Sequence, residues 1–150
     1  MMQQSVEAVI RDRGSDEVIS VPAAATVMEA VGVMQAREVG AVMVMTEDGL
    51  FAGIFSERDL LVRVVHAGRD PATTPISLVM TRDIRFVSPG TTIEAALSLM
   101  HVQRFRHLLV IDGPRVHGLI SMRDLVYQMI RHGEGRFEAA VRDTGAGAGT

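Results

Sequence analysis

The feature that most constrains this chain is an internal repeat. Residues 26–34 align with 92–100, and threonine, alanine and methionine coincide at three positions. Residues 53–60 align with 118–125, where glycine, serine, arginine, aspartate and leucine coincide. The two alignments are displaced by 66 and 65 residues, so the copies differ by one residue in length between these segments. Agreement in the same order indicates that one structural unit occurs twice.

Each copy shows the same succession of hydrophobic patterns. A short strand is followed by a helical pattern, a nearly continuous apolar strand, a third strand and a second helix. Thr26 and Thr92 stand where the N-caps of the first helices belong, and the second helices are expected to begin at Ser56 and Ser121. The predicted strands are 18–21, 41–45 and 50–55 in the first copy and 84–87, 107–111 and 115–120 in the second.

The order β-α-β-β-α predicts an α/β (α+β) fold built from two repeats. A unit of about 60 residues buries too little surface to be stable alone, so the two copies are expected to pack together with pseudo-twofold symmetry. The first repeat is assigned to residues 1–70, with an N-terminal linker helix, and the second to residues 71–133. Residues 134–150 are expected to form a partly disordered, glycine-rich tail.

Composition narrows the possible functions. The net charge of −3 disfavours nucleic-acid binding, and the absence of cysteine excludes disulfides and thiolate sites. No apolar run reaches the roughly 18 residues of a membrane span, and no signal peptide is recognised, so a cytoplasmic protein is expected. The five histidines are scattered without metal-site spacing, and a chain without lysine cannot contain a P-loop. We therefore expect that the chain is not an enzyme.

The motif shared by 53–59 and 118–124 is glycine, two hydrophobic residues, serine, two variable residues and aspartate. It resembles the motif of the CBS domain family, named after cystathionine β-synthase, in which two tandem copies form a Bateman module. Residues 106–112, Arg-His-Leu-Leu-Val-Ile-Asp, are also typical of second repeats in that family. The resemblance implies paired three-stranded sheets, two clefts that often hold adenosine-containing ligands, and a disc-shaped dimer.

Two interpretations of the serine–aspartate pairs remain open. Ser56 with Asp59, and Ser121 with Asp124, have the spacing of a helix capping box, in which the hydroxyl and the carboxylate satisfy free backbone N–H groups. A carboxylate at this place can also accept hydrogen bonds from the two hydroxyls of a ribose. The resemblance implies this role for both aspartates, with the serines near the ribose or phosphate, and the two roles can coexist.

The two copies differ where the middle strand begins. The second copy has Arg106 and His107, and the first has Gly40 and Ala41 at the corresponding positions. By the resemblance, Arg106 and His107 reach the phosphate of a nucleotide whose ribose is held by Asp59. Gly40 and Ala41 allow close approach of the backbone but bring no charge to the other cleft. The alternative is a solvated arginine and a histidine that is satisfied in the core.

Further contacts follow from residues beside these elements. All 15 basic residues are arginine, so any anion contact uses a guanidinium, which binds phosphate with two hydrogen bonds. Arg58 and Arg123, inside the motifs, are candidates for this role or are solvated residues of a first helical turn. The resemblance places the adenine slot at first-strand residues, namely Ile19, Ser20, Val21, Phe86 and Val87.

The sequence thus favours a regulatory module that binds an adenine nucleotide, as an energy or redox sensor, and acts on a separate partner protein. AMP is the first candidate ligand, with ATP, ADP, NAD(H) and S-adenosylmethionine as rivals. A homodimer is expected, because the outer helices near 57–66 and 122–131 are apolar enough to pair. The alternative function is a ligand-free structural or oligomerisation module.

Overall fold

The computed structural model describes residues 4–12 and 18–132, so the predicted tail at 134–150 lies outside the described residues. The architecture is mixed α and β, with two three-stranded sheets, as expected. The first half contains α1 (Val6–Asp12), β1 (Ser20–Pro22), α2 (Val27–Arg37), β2 (Ala41–Met45), β3 (Phe51–Ser56) and α3 (Glu57–Asp59), which continues as a π-helix (Leu60–Val65). The second half contains a 3₁₀-helix (Ile76–Leu78), β4 (Phe86–Val87), α4 (Ile93–Gln103), β5 (His107–Asp112), β6 (Arg115–Ser121) and α5 (Met122–His132).

The two sheets have the same topology, with orders β1-β2-β3 and β4-β5-β6. In each sheet the middle strand pairs in parallel with the first strand and antiparallel with the third. The first strands are shorter than the predicted 18–21 and 84–87. Val18 and Ile84 lie outside the strands, and their side chains pack in the hydrophobic cluster between the two sheets.

Threonine hydroxyls begin both long helices, as the sequence predicts. Thr26 and Thr92 each accept a hydrogen bond from the backbone N–H three residues later, at 3.2 and 3.1 Å. Each helix ends at a residue with left-handed backbone geometry, Glu38 (φ 54°) and Arg104 (φ 61°). The two repeats therefore begin and end their long helices in the same way, with a threonine N-cap and a left-handed residue at the C-terminal end.

The middle strands are buried on both faces. In β2, Val42 and Val44 pack against the helices of the first half, whereas Met43 packs between the two sheets. β5 repeats this arrangement, and its Leu109 lies in the same cluster as Met43. Burial on two faces explains why both strands are almost entirely apolar, and the cluster between the sheets joins the repeats.

The segment that precedes each repeat packs against the other repeat. α1 belongs by sequence to the first copy, yet its apolar side chains lie in the core of the second half, and those of segment 76–80 lie in the core of the first. These side chains are Val6, Val9 and Ile10 from α1, and Ile76, Val79 and Met80 from segment 76–80. Backbone hydrogen bonds of 2.8 Å fix the exchange, from Val6 N–H to the Thr91 carbonyl and from Ile76 N–H to the Ala25 carbonyl. Each half therefore needs the other to complete its core.

The motif glycines leave room for these exchanged segments. A Cβ at Gly53 would lie 2.7 Å from the carbonyl oxygen of Thr81, and a Cβ at Gly118 would lie 3.2 Å from Cδ1 of Ile10. Thr81 pairs with Ile54 on β3 through two backbone hydrogen bonds of 2.7 and 2.9 Å. Gly53 thus allows the connection between the repeats to lie against β3.

Candidate functional site

Two clefts lie between the halves, and we name each after its aspartate. The Asp59 cleft has a volume of about 1140 Å³ and the Asp124 cleft about 560 Å³, so both can hold a ligand of nucleotide size. Of the predicted residues, the Asp59 cleft is lined by Gly40, Ser56, Arg58, Asp59, Arg106, His107, Ser121 and Arg123. The Asp124 cleft is lined by Ile19, Gly40, Ala41, His107, Ser121, Arg123 and Asp124.

Both serine–aspartate pairs form capping boxes. Ser56 Oγ accepts a hydrogen bond from Asp59 N–H at 3.3 Å, and Asp59 Oδ2 accepts one from Ser56 N–H at 3.0 Å. The corresponding distances for Ser121 and Asp124 are 3.0 and 2.8 Å. The capping interpretation is therefore confirmed at both motifs, and a role in ligand binding must coexist with it.

The carboxylate of Asp59 is engaged on both oxygens. Oδ2 accepts hydrogen bonds from the N–H and, at 3.1 Å, from the hydroxyl of Ser56. Oδ1 accepts a hydrogen bond from the Thr81 hydroxyl at 2.9 Å and lies 3.6 Å from Nε of Arg63. The side chain is only 8% exposed. Asp59 thus connects the start of α3 to the segment between the repeats.

Asp124 has a different environment. Asp124 is half-buried in its cleft, whereas Asp59 is buried in the other cleft. Tyr127 of α5 and His117 of β6 line the same cleft, and Nδ1 of His117 is buried without a hydrogen-bond partner among the described residues. An unsatisfied buried nitrogen is costly, so this cleft offers a polar group that a ligand or a water can satisfy.

Arginine is the most frequent charged residue in the lining of the Asp59 cleft. Five guanidinium side chains line it, from Arg58, Arg63, Arg104, Arg106 and Arg123. Four carboxylates line it as well, the buried one of Asp59 and the exposed ones of Glu38, Glu57 and Asp83. The lining is therefore only slightly positive, but it contains several guanidinium groups suited to phosphate.

His107 lines both clefts, at the start of β5. Burial lowers the pKa of its imidazole below the ordinary 6.5, and the neighbouring charge of Arg106 lowers that pKa further. The carboxylates of Asp124, Asp59 and Glu57 act in the opposite direction, but burial has the larger effect. The structure thus places this titratable imidazole between the two candidate binding sites.

The predicted adenine residues divide into two groups. Ile19 lines the Asp124 cleft, whereas Ser20, Val21, Phe86 and Val87 line neither of the two clefts. Val21 and Val87 point into the cores of their own halves, and Ser20 and Phe86 are exposed. The apolar lining near the first strands comes from slightly earlier residues, Val18 in the Asp124 cleft and Ile84 in the Asp59 cleft.

Sequence reasoning missed several residues that line the Asp59 cleft. Thr81 belongs to the segment between the repeats, and Arg63 lies one helical turn after the motif aspartate. Arg104 is the left-handed residue that ends α4. The repeat alignment contained a signal for Arg104, since its counterpart Glu38 carries the opposite charge. No motif marks Thr81, whose place depends on the exchange of segments.

Among the described residues, neither a metal-site cluster nor a membrane-spanning helix is found. Within residues 4–12 and 18–132, no group of three or more histidine, aspartate or glutamate side chains is arranged to hold a metal ion. None of the described helices combines the length and apolar character that are needed to cross a membrane.

Comparisons with known proteins agree on one family. The model of the CBS domain matches residues 7–66 and 76–131. The CBS domain-containing protein YhcV of Bacillus subtilis is 32% identical over 127 residues, which are 84% of this chain and 89% of that protein. The chain also matches longer CBS domain-containing proteins of Arabidopsis thaliana, of which it spans 23%.

Solved structures give the same result. The CBS-domain containing protein ATU1752 from Agrobacterium tumefaciens has a TM-score of 0.78 and 32% identity, covering 86% of this chain and 96% of that one. The CBS domain protein PAE2072 from Pyrobaculum aerophilum, solved in complex with AMP, has a TM-score of 0.69 and 22% identity, covering 81% of this chain and 89% of that one.

Proposed function

Because the chain belongs to the CBS domain family and carries two copies of the domain, we propose that it is a regulatory module that binds adenine nucleotides, AMP first, between its repeats. Binding is proposed to change the action of a separate partner protein. PAE2072, which shares the fold, is complexed with AMP.

The observation that carries the proposal is the arginine-rich lining of the Asp59 cleft. Arg106 and His107 lie there with the N-terminal ends of both motif helices, where Arg58 and Arg123 stand in the first turns. A helix N-terminus favours an anion, and a guanidinium binds phosphate through two hydrogen bonds. This cleft therefore supplies recognition for a 5′-phosphate.

The Asp124 cleft is proposed to supply recognition for a nucleoside. Asp124 is half-buried and carries the motif carboxylate that can accept hydrogen bonds from a ribose diol. Val18 and Ile19 provide an apolar wall, and Gly40 and Ala41 allow close approach of a ring to the backbone. The two clefts are thus proposed to differ in which part of a nucleotide they bind most strongly.

A calorimetric titration tests the proposal. AMP, ATP, ADP, NAD(H) and S-adenosylmethionine are titrated separately, with adenosine as the phosphate-free control. We expect AMP to bind with a dissociation constant in the micromolar range, equivalent to about −8 kcal/mol. Absence of binding by all of these ligands at millimolar concentration would leave the ligand-free module as the better account.

A structural module is the second candidate function, and one observation favours it. The motif groups already have partners in the chain, since both serines and both aspartates cap helices and Asp59 also bonds Thr81. A chain that used its motif only for folding would show this same set of contacts. The nucleotide titration separates the two candidates.

A homodimer is proposed on the basis of two helices with exposed apolar side chains. The π-helix exposes Leu61, Val62 and Val65, and α5 exposes Met122, Val126 and Tyr127. Large apolar side chains gathered on outer helices mark a surface that association would bury. A dimer would carry two copies of each cleft.

A further inference from the structure

We propose that His107 makes nucleotide binding proton-linked: its imidazole takes up a proton when the anionic group of a ligand enters the Asp59 cleft, so that nucleotides bind more tightly as the pH falls. This inference rests on the proposed function and deepens it, because it adds a response to pH at the same site. The arginines of the cleft cannot supply that response, since a guanidinium stays charged throughout the range near neutral pH.

The first step is that the imidazole is available to a ligand. His107 is half-buried at the start of β5 and lines both clefts. Its ring takes part in none of the hydrogen bonds between described residues. Among those residues, the ring nitrogen that is buried without a partner is Nδ1 of His117, so neither nitrogen of His107 is sealed away from the clefts. The imidazole can therefore donate a hydrogen bond to a group that enters.

The second step is the set of charges around the ring. Strand pairing places His107 opposite Ser121, whose hydroxyl accepts a hydrogen bond from Asp124 N–H in the first turn of α5. Side chains directly opposite on antiparallel strands lie about 5 Å apart, so the ring lies beside the positive end of that helix. The charged side chains around it are those of Glu57, Asp59, Arg106 and Asp124, with Glu38 and Arg123 where the two clefts meet. A proton on the ring thus has carboxylates on both sides.

The third step is the protonation state of the empty cleft. Burial lowers the pKa of the His107 imidazole below the ordinary 6.5, so the ring is neutral near pH 7. An anion at hydrogen-bond distance favours the charged form of a base and raises its pKa. When a phosphate enters, a ring nitrogen takes a proton from the buffer, and the imidazolium donates a charge-assisted hydrogen bond to a phosphate oxygen. Binding of the anion is therefore accompanied by proton uptake.

The comparison of the repeats assigns this property to one residue. The counterpart of His107 in the first half is Ala41, which is paired with Ser56 as His107 is paired with Ser121. Ala41 has no titratable group, so the start of β2 cannot take up a proton. The two middle strands therefore differ in chemistry at equivalent places, and the response to pH enters through β5.

The direct test is an NMR titration of the imidazole in the unsubstituted chain, alone, with saturating AMP and with saturating adenosine. AMP should raise the pKa of His107 by about one, which is equivalent to about tenfold tighter binding of AMP to the protonated chain, because the coupling is reciprocal. Adenosine, which has no phosphate, should change that pKa little. His101, exposed on α4 and outside both clefts, is the control ring. Bound AMP that leaves the pKa of His107 unchanged or lower overturns the inference, and so does an equal rise with adenosine.

Calorimetry in buffers of different ionisation enthalpy measures the proton uptake itself. His107→Gln keeps a polar side chain that cannot take up a proton, and His101→Gln is the matched control. Near pH 6.5, AMP should bind the unsubstituted chain and the control with the same uptake, and the His107→Gln chain with an uptake smaller by up to about one proton. The titration of the phosphate itself, with a pKa near about 6, is common to all three chains.

Equal uptake by all three folded chains overturns the inference. If His107→Gln does not fold, the imidazole titration of the unsubstituted chain decides alone. Absence of AMP binding by the unsubstituted chain overturns the proposed function and this inference with it, whereas AMP binding without proton uptake by His107 overturns this inference only.

Discussion

At the scale of single residues, one repeated motif has two chemical environments. Asp59 and Asp124 both close capping boxes, so their backbone positions are equivalent. Asp59 is buried against Thr81, whereas Asp124 is half-buried in its cleft. Arg106 is found in one half only, and it adds a guanidinium to the Asp59 cleft. Phosphate recognition in the Asp59 cleft should therefore depend on Arg106.

Replacement of Arg106 by alanine tests this dependence. A hydrogen bond between charged groups contributes about 1.5–3 kcal/mol, so Arg106→Ala should weaken AMP binding by about tenfold to a hundredfold and adenosine binding much less. Calorimetry with both ligands measures the difference. Arg115→Ala, an exposed arginine of β6 that lines neither of the two clefts, is the control. An equal loss for AMP and adenosine would show that Arg106 does not bind the phosphate.

His107 should make stability depend on pH. Burial lowers its pKa in the folded chain below the ordinary 6.5, so the unfolded chain binds the proton more tightly. The stability contributed by neutral His107 is therefore complete above pH 6.5 and decreases as the pH falls toward the folded pKa. Melting temperatures between about pH 8 and 5 should decline less in His107→Gln than in the unsubstituted chain. His101→Gln, at an exposed site on α4, is the control, and equal slopes for all three chains would contradict the assignment.

At the scale of elements, the exchange of α1 and segment 76–80 determines where the site residues lie. The connection between the repeats runs along β3 because Gly53 has no side chain there. It then brings Thr81 to Asp59 and Met80 to Arg63. The site thus depends on elements that stand outside the motif in the sequence.

The two motif glycines should differ in their tolerance of a methyl group. A Cβ at Gly53 meets a backbone oxygen at 2.7 Å, and backbone moves only at a cost, so Gly53→Ala should lower the free energy of unfolding by about 1–3 kcal/mol. A Cβ at Gly118 meets the flexible end of Ile10 at 3.2 Å, so Gly118→Ala should cost less. Urea unfolding of the two variants measures both values. An equal cost, or a larger one for Gly118→Ala, would contradict this packing of the exchanged segments against the motif glycines.

Particular residues show what the sequence could predict. Local signals were sufficient for the threonine caps at Thr26 and Thr92 and for the apolar middle strands, because capping and burial leave short-range patterns. The partner of Asp59 left no such pattern, since Thr81 is 22 residues away and arrives through packing of the exchanged segment. The resemblance places Val21 and Val87 of the first strands at an adenine slot, whereas in the structure the alternation of side chains along a strand turns both into the cores.

At the scale of the whole molecule, the two repeats form one unit with two unequal clefts. The sheets pack through the cluster that contains Met43, Ile54 and Leu109, and each half completes the core of the other. His107 lines both clefts. Residues of both halves line each cleft, so a ligand in either cleft would contact both repeats.

The proposed homodimer can be tested by light scattering. We expect a mass of twice that of the chain, because the exposed side chains of the π-helix and α5 are buried on association. Leu61→Glu with Val65→Glu should shift the protein to the mass of a single chain, since charge in an apolar interface is unfavourable. Leu50→Glu, at an equally exposed leucine in a turn, is the control. A single-chain mass for the unsubstituted protein at all concentrations would remove the dimer from the account.

The central claim is that adenine nucleotides bind between the repeats, and an amide NMR titration with AMP tests it most directly. The account predicts saturable shifts for the backbone amides of Arg106, His107, Ser121 and Arg123, which line the Asp59 cleft, with smaller changes at Leu50 and Arg115 outside it. Spectra that do not change up to millimolar AMP, or shifts confined to residues outside both clefts, would contradict the claim.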